Sequence, residues 1–158
     1  MRIRESIDKF LSHILVIILG ILVLDVIWQV ATRYLLSDPS KYTDELAGFL
    51  LIWVGLLGAA FVTSKQQHIA IDLMVRRAKG KRKTLLMLAI NFFIFLFAFS
   101  VMIIGGIWLV YTRFYLGQTS PALEIPLGYV YMVLPVSGLF IVYFAIDNSI
   151  MEIKKIWN

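Results

Sequence analysis

Four polar side chains lie at helical spacing in an otherwise apolar stretch: Asp25, Gln29, Thr32 and Arg33. Four-residue steps advance only about 40° around a helix axis, so the four share one face. A mid-span carboxyl group is a candidate ion or proton site, because its burial is costly unless it is protonated or paired. We favour the alternative, an interhelical hydrogen bond to another helix or a partner subunit, because the chain supplies too few oxygen ligands for a cation site.

A second set of charges flanks the turn that follows this stretch. Arg33 precedes it, and Asp44 and Glu45 follow it. A short turn brings such residues within reach, so the sequence predicts a salt bridge that closes the hairpin. The alternatives are separate interfacial charges that extend to water, or a contact with a partner.

The remaining candidates concern contacts and not catalysis. Gly55 and Gly58 lie on neighbouring turns, where small residues let another helix approach. His68 and Asp72 fall on the polar side of an amphipathic segment, and we interpret His68 as a solvated residue, with pH sensing or partner contact as alternatives. The sequence shows no nucleophile motif, no glycine-rich phosphate loop and no metal-ligand spacing, which predicts a protein that is not an enzyme and holds no cofactor.

The composition indicates that most of this chain lies in a membrane and not in water. Of 158 residues, 60% are hydrophobic and 16% charged, and the mean hydropathy is +0.85. Too few charges remain to cover a soluble core, so one integral membrane domain is expected over residues 1–158. The absence of cysteine excludes a membrane thiol oxidoreductase. The net charge of +5 comes from basic residues beside hydrophobic spans, which favours contact with membrane lipids over nucleic acid.

Four apolar stretches are long enough to cross a bilayer, which needs about twenty helical residues. The predicted fold is all-α, with four transmembrane helices and one interfacial amphipathic helix. The predicted spans are about 10–36, 43–64, 85–115 and 127–151, and the surface helix is about 68–79. Thr43 is predicted to cap the second span.

Two of the spans contain residues that favour a bend. The third span is long enough that it must tilt, protrude or bend at Gly105 and Gly106. The fourth span contains Pro135 and Gly138, which predict a kink.

The distribution of lysine and arginine predicts the orientation. The first tail, the segment 65–83 with seven basic residues, and the last tail are positive, whereas the other two connections carry few basic residues. Cytoplasmic connections hold the excess of positive charge, so both termini are expected in the cytoplasm of a bacterium, with the chain crossing the inner membrane. No long internal repeat is present, which argues against a complete transporter built from inverted halves.

One block of sequence resembles a known family. It comprises Arg33-Tyr34, the run Thr43-Asp-Glu-Leu-Ala-Gly-Phe-Leu-Leu-Ile-Trp-Val-Gly-Leu-Leu-Gly-Ala-Ala60, and Ser64-Lys-Gln-Gln-His-Ile-Ala-Ile-Asp72. This pattern strongly resembles the small membrane (Q) subunit of the tripartite ATP-independent periplasmic (TRAP) transporters. The loop Ser120–Pro126 and Leu134-Pro135 are also similar, so the resemblance covers essentially the whole chain.

The resemblance implies a function in solute import. In such a system a periplasmic binding protein delivers an organic acid to a two-subunit membrane complex driven by a sodium gradient. A large multispan subunit carries substrate and sodium, and the small subunit is a scaffold. The family uses sialic acid, C4-dicarboxylates and other carboxylates, and we favour sialic acid. The alternative is a self-sufficient dimeric four-helix exporter of small cations, with Asp25 exchanging the proton.

Overall fold

The computed structural model describes residues 2–35, 41–65 and 81–157, and this part of the chain is almost wholly helical. No strand forms among these residues, apart from a single bridge between Thr119 and Pro126. The helices are α1 (Arg2–Leu35), α2 (Lys41–Lys65), α3 (Lys81–Phe97), a π-helical segment (Ala98–Gly105), α4 (Gly106–Tyr115), α5 (Leu127–Tyr131) and α6 (Val133–Trp157).

Four stretches of these helices are long and apolar enough to cross a membrane. They are Arg4–Tyr34, Lys41–Lys65, Arg82–Tyr115 and Leu127–Lys154. The prediction of an all-α protein with four membrane spans is therefore confirmed. The predicted surface helix at 68–79 lies outside the described residues.

The second helix begins earlier than the sequence suggested. α2 begins at Lys41, so Thr43 lies inside its first turn and the prediction that Thr43 caps the helix is wrong. Asp44 remains in the first turn, where the positive end of the helix dipole favours a carboxylate.

The third span is one continuous helical run with a change of helix type. It is α-helical to Phe97, π-helical from Ala98 to Gly105, and α-helical again from Gly106. A π-helical turn changes the direction in which the following side chains point. The predicted site of a bend, Gly105 and Gly106, marks the end of this segment.

The fourth span is interrupted between α5 and α6, at Met132. Pro135 is the third residue of α6. The first turn of a helix has no internal acceptor for its N–H groups, so a proline is tolerated there. The predicted irregularity is present, but it precedes Pro135.

Contacts divide the chain into two compact units. The first comprises Met1–Gly58 and Trp108–Val133, and the second comprises Ala59–Ile107 and Leu134–Asn158. That the chain folds as a single membrane domain stays a prediction.

In the first unit, α4 and α5 pack through a glycine. A Cβ atom added at Gly128 would lie 2.5 Å from the ring of Phe114, and that ring meets Tyr129 edge-on with centroids 5.1 Å apart. The indole nitrogen of Trp53 on α2 donates to the carbonyl oxygen of Val130 at 3.1 Å. These contacts hold α5 against the neighbouring helices and thereby fix the start of the fourth span.

In the second unit, two glycines allow α6 to approach the third span. A Cβ atom added at Gly106 would lie 3.0 Å from Pro135, and one added at Gly138 would lie 2.9 Å from Met102. Phe144 lies fully buried in the same unit. Small residues let helices approach closely in membranes, where association depends on packing.

Candidate functional site: the Glu45 clasp

The connection between α4 and α5 is an ordered loop. The backbone N–H of Ser120 donates to the carbonyl oxygen of Ile125 at 2.9 Å, and the hydroxyl oxygen of Ser120 accepts from the N–H of Ile125 at 3.2 Å. Leu127 closes the loop by donating to the carbonyl oxygen of Gln118 at 2.9 Å. Ser120 is fully buried by this arrangement. The loop therefore has an internal frame of its own.

Two residues of the loop adopt left-handed backbone conformations. Gly117 has φ of 58° and Glu124 has φ of 55°. Glycine adopts this region freely, but a side chain such as that of Glu124 rarely does. The hydrogen bond from Glu124 N–H to the carbonyl oxygen of Ser120, at 3.1 Å, holds this conformation.

The carboxylate of Glu45 ties this loop to α2. Its Oε2 atom accepts the backbone N–H groups of Ala122 and Leu123, at 3.0 Å and 2.7 Å. Hydrogen bonds to an ionised acceptor are roughly twice as strong as neutral ones. We call Glu45, Ala122 and Leu123 the Glu45 clasp. It joins residues that are 77 and 78 positions apart in sequence.

The neighbouring acid makes a different contact. The side-chain amide of Gln29 donates to Asp44 Oδ1 at 2.7 Å in an exposed position. Thr32, which is buried, donates its hydroxyl to the carbonyl oxygen of Gln29 at 2.9 Å. Part of the polar stripe on α1 is thus satisfied by α2 and by its own backbone.

The predicted salt bridge of Arg33 is absent from the part of the chain that the structure describes, and that prediction is wrong. Asp44 is engaged by Gln29, and Glu45 is drawn to the loop by two N–H groups. Arg33 itself lies exposed at the end of α1. The two alternatives, a separate charge that extends to water and a contact with a partner, stay predictions.

Asp25 stands apart from these contacts. It is half-buried, and its Oδ2 atom has no hydrogen-bond partner among the described residues. In the same residues, no three histidine, cysteine or acidic side chains come together as a metal site would require. The structure therefore brings Asp25 no ligand partner from the described part of this chain.

The other predicted residues divide into two cases. His68 and Asp72 lie outside the described residues. At Gly55 and Gly58 an added Cβ atom would meet nothing within 4 Å among the described atoms. The predicted close approach of another helix at these glycines is not made within the described chain, and a partner helix there stays a prediction.

Sequence reasoning missed several contacts that shape this region. Arg113 hydrogen-bonds to Gln118 and lies over the ring of Tyr131, 5.4 Å from its centroid. The contacts of Glu45 and Trp53 were also missed, and in each of them the side chain hydrogen-bonds to a backbone group. Backbone partners leave no mark in residue types, so no pattern of the sequence indicated them.

The comparison with protein families decides what this architecture belongs to. The family model described as the DctQ component of tripartite ATP-independent periplasmic transporters matches residues 11–155. The chain belongs to this DctQ family. It is a multi-pass membrane protein and a small permease subunit of the TRAP type, a class of transporter subunits and not a class of enzymes.

Individual relatives agree with this membership. The chain is 26% identical to the sialic acid TRAP transporter small permease protein SiaQ of Vibrio cholerae, over 99% of the chain and 84% of that protein. It is 29% identical to the C4-dicarboxylate TRAP transporter small permease protein DctQ of the same organism, over 68% of the chain and 45% of that protein. It also matches part of a larger relative, the sialic acid TRAP transporter permease protein SiaT of Haemophilus influenzae, with 31% identity over 61% of the chain and 16% of that protein.

Proposed function

We propose that this DctQ-family chain is the scaffold of a sodium-driven importer of an organic acid. A large multispan subunit would carry the substrate and sodium, and a periplasmic binding protein would deliver the acid. In this proposal the chain performs no catalysis and binds no cofactor.

The observation that carries the proposal is the Glu45 clasp. A carboxylate that accepts two backbone N–H groups is committed to holding a loop in place. Its Oε2 atom is engaged by the chain itself, which favours a structural role over ion binding. In this proposal the charged side chain of Glu45 has a structural role, which is to hold the loop between α4 and α5 against α2.

The exposure of the first span supports a partner. Only 6% of its most apolar stretch is buried within the described chain, compared with 39% for the fourth span. Apolar surface can face lipid, but a half-buried carboxyl group such as Asp25 is costly in lipid without a polar neighbour. A partner subunit would supply that neighbour.

The substrate and the orientation follow from different arguments. Relatives named for sialic acid and for C4-dicarboxylates suggest a carboxylate as the substrate, and sialic acid is favoured because a relative named for it matches 99% of this chain, compared with 68% for the C4-dicarboxylate relative of the same organism. The basic residues of the segment 65–83 favour both termini in the cytoplasm, with the segment 68–79 on anionic lipid.

Reconstitution tests the proposal. The chain, its large TRAP permease partner and the matching binding protein are reconstituted with liposomes, and uptake of radiolabelled sialic acid and succinate is measured with and without a sodium gradient. We expect sodium-dependent uptake that requires all three proteins. Equal uptake when this chain is omitted would contradict the scaffold role. Uptake of succinate alone would contradict the choice of sialic acid.

A further inference from the structure

A groove of about 540 Å³ opens on the second unit, between α3 and α6. Its walls are apolar side chains at helical spacing, Leu88, Phe92 and Phe95 on α3 and Ile146 and Ile150 on α6. Two ridges of this kind, separated by a furrow, are the shape into which the side chains of a third helix pack.

Two polar side chains, Asn91 and Ser149, line this groove, and the hydroxyl of Ser149 donates to the carbonyl oxygen of Ala145 on its own helix at 2.8 Å. Asn91 is 8% exposed, and among the described residues its amide has no hydrogen-bond partner. Asn91 lies ten residues after the start of α3, which is about 15 Å along the helix. At that depth in a membrane, water does not satisfy an amide, and an unsatisfied polar group is costly.

A second buried asparagine of this unit, Asn148, provides a comparison for the hydrogen bonding of Asn91. Asn148 on α6 is 2% exposed and donates through Nδ2 to the carbonyl oxygen of Thr63 at 3.1 Å, whereas its Oδ1 atom has no partner among the described residues. The chain thus supplies a partner to the amide nitrogen of Asn148. It supplies none from its described residues to Asn91, whose amide borders the groove.

We propose that the groove receives one transmembrane helix of the large TRAP permease, and that this helix presents an amide or hydroxyl side chain to Asn91. The inference rests on the proposed function, because it names where the partner of the scaffold docks. An acyl chain would fill the apolar walls but carries no group that hydrogen-bonds. A helix with one polar side chain can pack against the apolar walls and also hydrogen-bond to the amide of Asn91.

The relation to SiaT supports this choice of occupant. A segment similar to 61% of this chain forms 16% of that larger permease protein. A small-subunit sequence within a larger permease chain places the two in one molecule, where a helix of the larger part is available to the groove.

Two adjacent phenylalanines on α3 provide the test. Phe92 lines the groove and Phe93 does not, although their exposures are similar, at 60% and 66%. Successive residues point about 100° apart on a helix. The photoreactive residue p-benzoylphenylalanine is placed at 92 or at 93 in the full chain, which is coexpressed with its large TRAP permease and irradiated in membranes.

We expect position 92 to crosslink to the large permease several-fold more than position 93. The substitution Asn91→Leu should weaken copurification of the two subunits by roughly threefold to thirtyfold, the range that one interhelical hydrogen bond contributes. The control Ser100→Ala removes a hydroxyl of the same span that bonds only to its own helix, at Leu96, and should leave copurification unchanged.

Several results would overturn the proposal. They are equal crosslinking at both positions, a crosslink at 92 to lipid or to a second copy of this chain, or unchanged copurification of the Asn91→Leu variant. In each of these the two subunits still copurify, so the proposed function survives. If the unsubstituted subunits fail to copurify, the proposed function and the groove proposal both fail.

Discussion

The backbone N–H of Leu123 lies 2.7 Å from the carboxylate of Glu45, and this contact joins the start of the second span to the loop before the fourth. The N–H of Ala122 donates to the same oxygen atom at 3.0 Å. One side chain therefore determines how a loop of about ten residues, 117–126, is held against α2.

Removing the clasp should loosen the loop. Glu45→Ala leaves two N–H groups without their charged acceptor, and we expect the free energy of unfolding to fall by about 2–4 kcal/mol. Hydrogen exchange of residues 117–126, measured in detergent, should become faster. Asp44→Ala is the matched control, since its contact with Gln29 is exposed and should contribute about 0–1 kcal/mol.

A charge exchange distinguishes the clasp from a salt bridge. If Glu45 were paired with Arg33, the double change Arg33→Glu with Glu45→Arg would recover part of the lost stability. We expect no recovery, because an arginine cannot accept the N–H groups of Ala122 and Leu123. Recovery of half or more of the lost stability would contradict the clasp.

Glycine packing gives a second prediction. Gly138→Val should lower the free energy of unfolding by about 1–3 kcal/mol, because its Cβ would lie 2.9 Å from Met102. Gly58→Val should change the stability of the isolated chain by less than about 1 kcal/mol, since open space surrounds Gly58 among the described residues. Thermal unfolding of the purified chain compares the two. Equal destabilisation would contradict the packing.

The Gly58 variant also tests whether a partner helix packs there. If Gly55 and Gly58 face the large permease, Gly58→Val should reduce copurification of the two subunits although the isolated chain stays folded. Full copurification would show that these glycines do not lie at that interface.

Orientation is tested by labelling of single cysteines. The chain has no cysteine of its own, so one placed at Lys83 or at Glu124 is the only thiol. Both positions are exposed, whereas Ser120 in the same loop is fully buried and unsuited to labelling. In intact cells an impermeant maleimide should react at 124 and spare 83, and the reverse pattern would overturn the predicted orientation.

Asp25 provides the test against an independent exporter. We expect Asp25→Asn to leave the sodium and proton dependence of uptake by the assembled complex unchanged, because an uncharged amide can still hydrogen-bond to a partner. The purified chain alone in liposomes should not transport a cationic dye when a proton gradient is applied as the driving force. Dye export that is lost in Asp25→Asn would contradict the scaffold role.

Much of the fold could be predicted from the sequence, because lipid imposes a simple rule. Apolar stretches of twenty or more residues must be helical to satisfy their backbone, which predicts the four spans. The ends were less predictable, since α2 begins at Lys41 and not at Thr43. The break at Met132 was indicated by nearby Pro135 but displaced, because a proline fits the first turn of α6.

The candidate site was predictable only in part. Glu45 and Arg33 were identified by charge and proximity in sequence, and the pairing of two opposite charges was the natural hypothesis. In the structure, Glu45 instead accepts two backbone N–H groups from residues that are 77 and 78 positions away in sequence. Contacts of this kind depend on how the loop turns, and every residue except proline carries the same N–H group.

The sodium dependence of uptake by the Glu45→Ala complex tests the central claim most directly. The complex with the large permease and the binding protein is reconstituted, and uptake is normalised to the amount of intact assembly. We predict less assembled complex, but a sodium concentration for half-maximal uptake within about twofold of the unsubstituted complex, because the scaffold proposal places the substrate and sodium sites on the large permease and not at Glu45. A large shift in that concentration in well-assembled complex would show that this subunit contributes to the ion site, and would contradict the scaffold role.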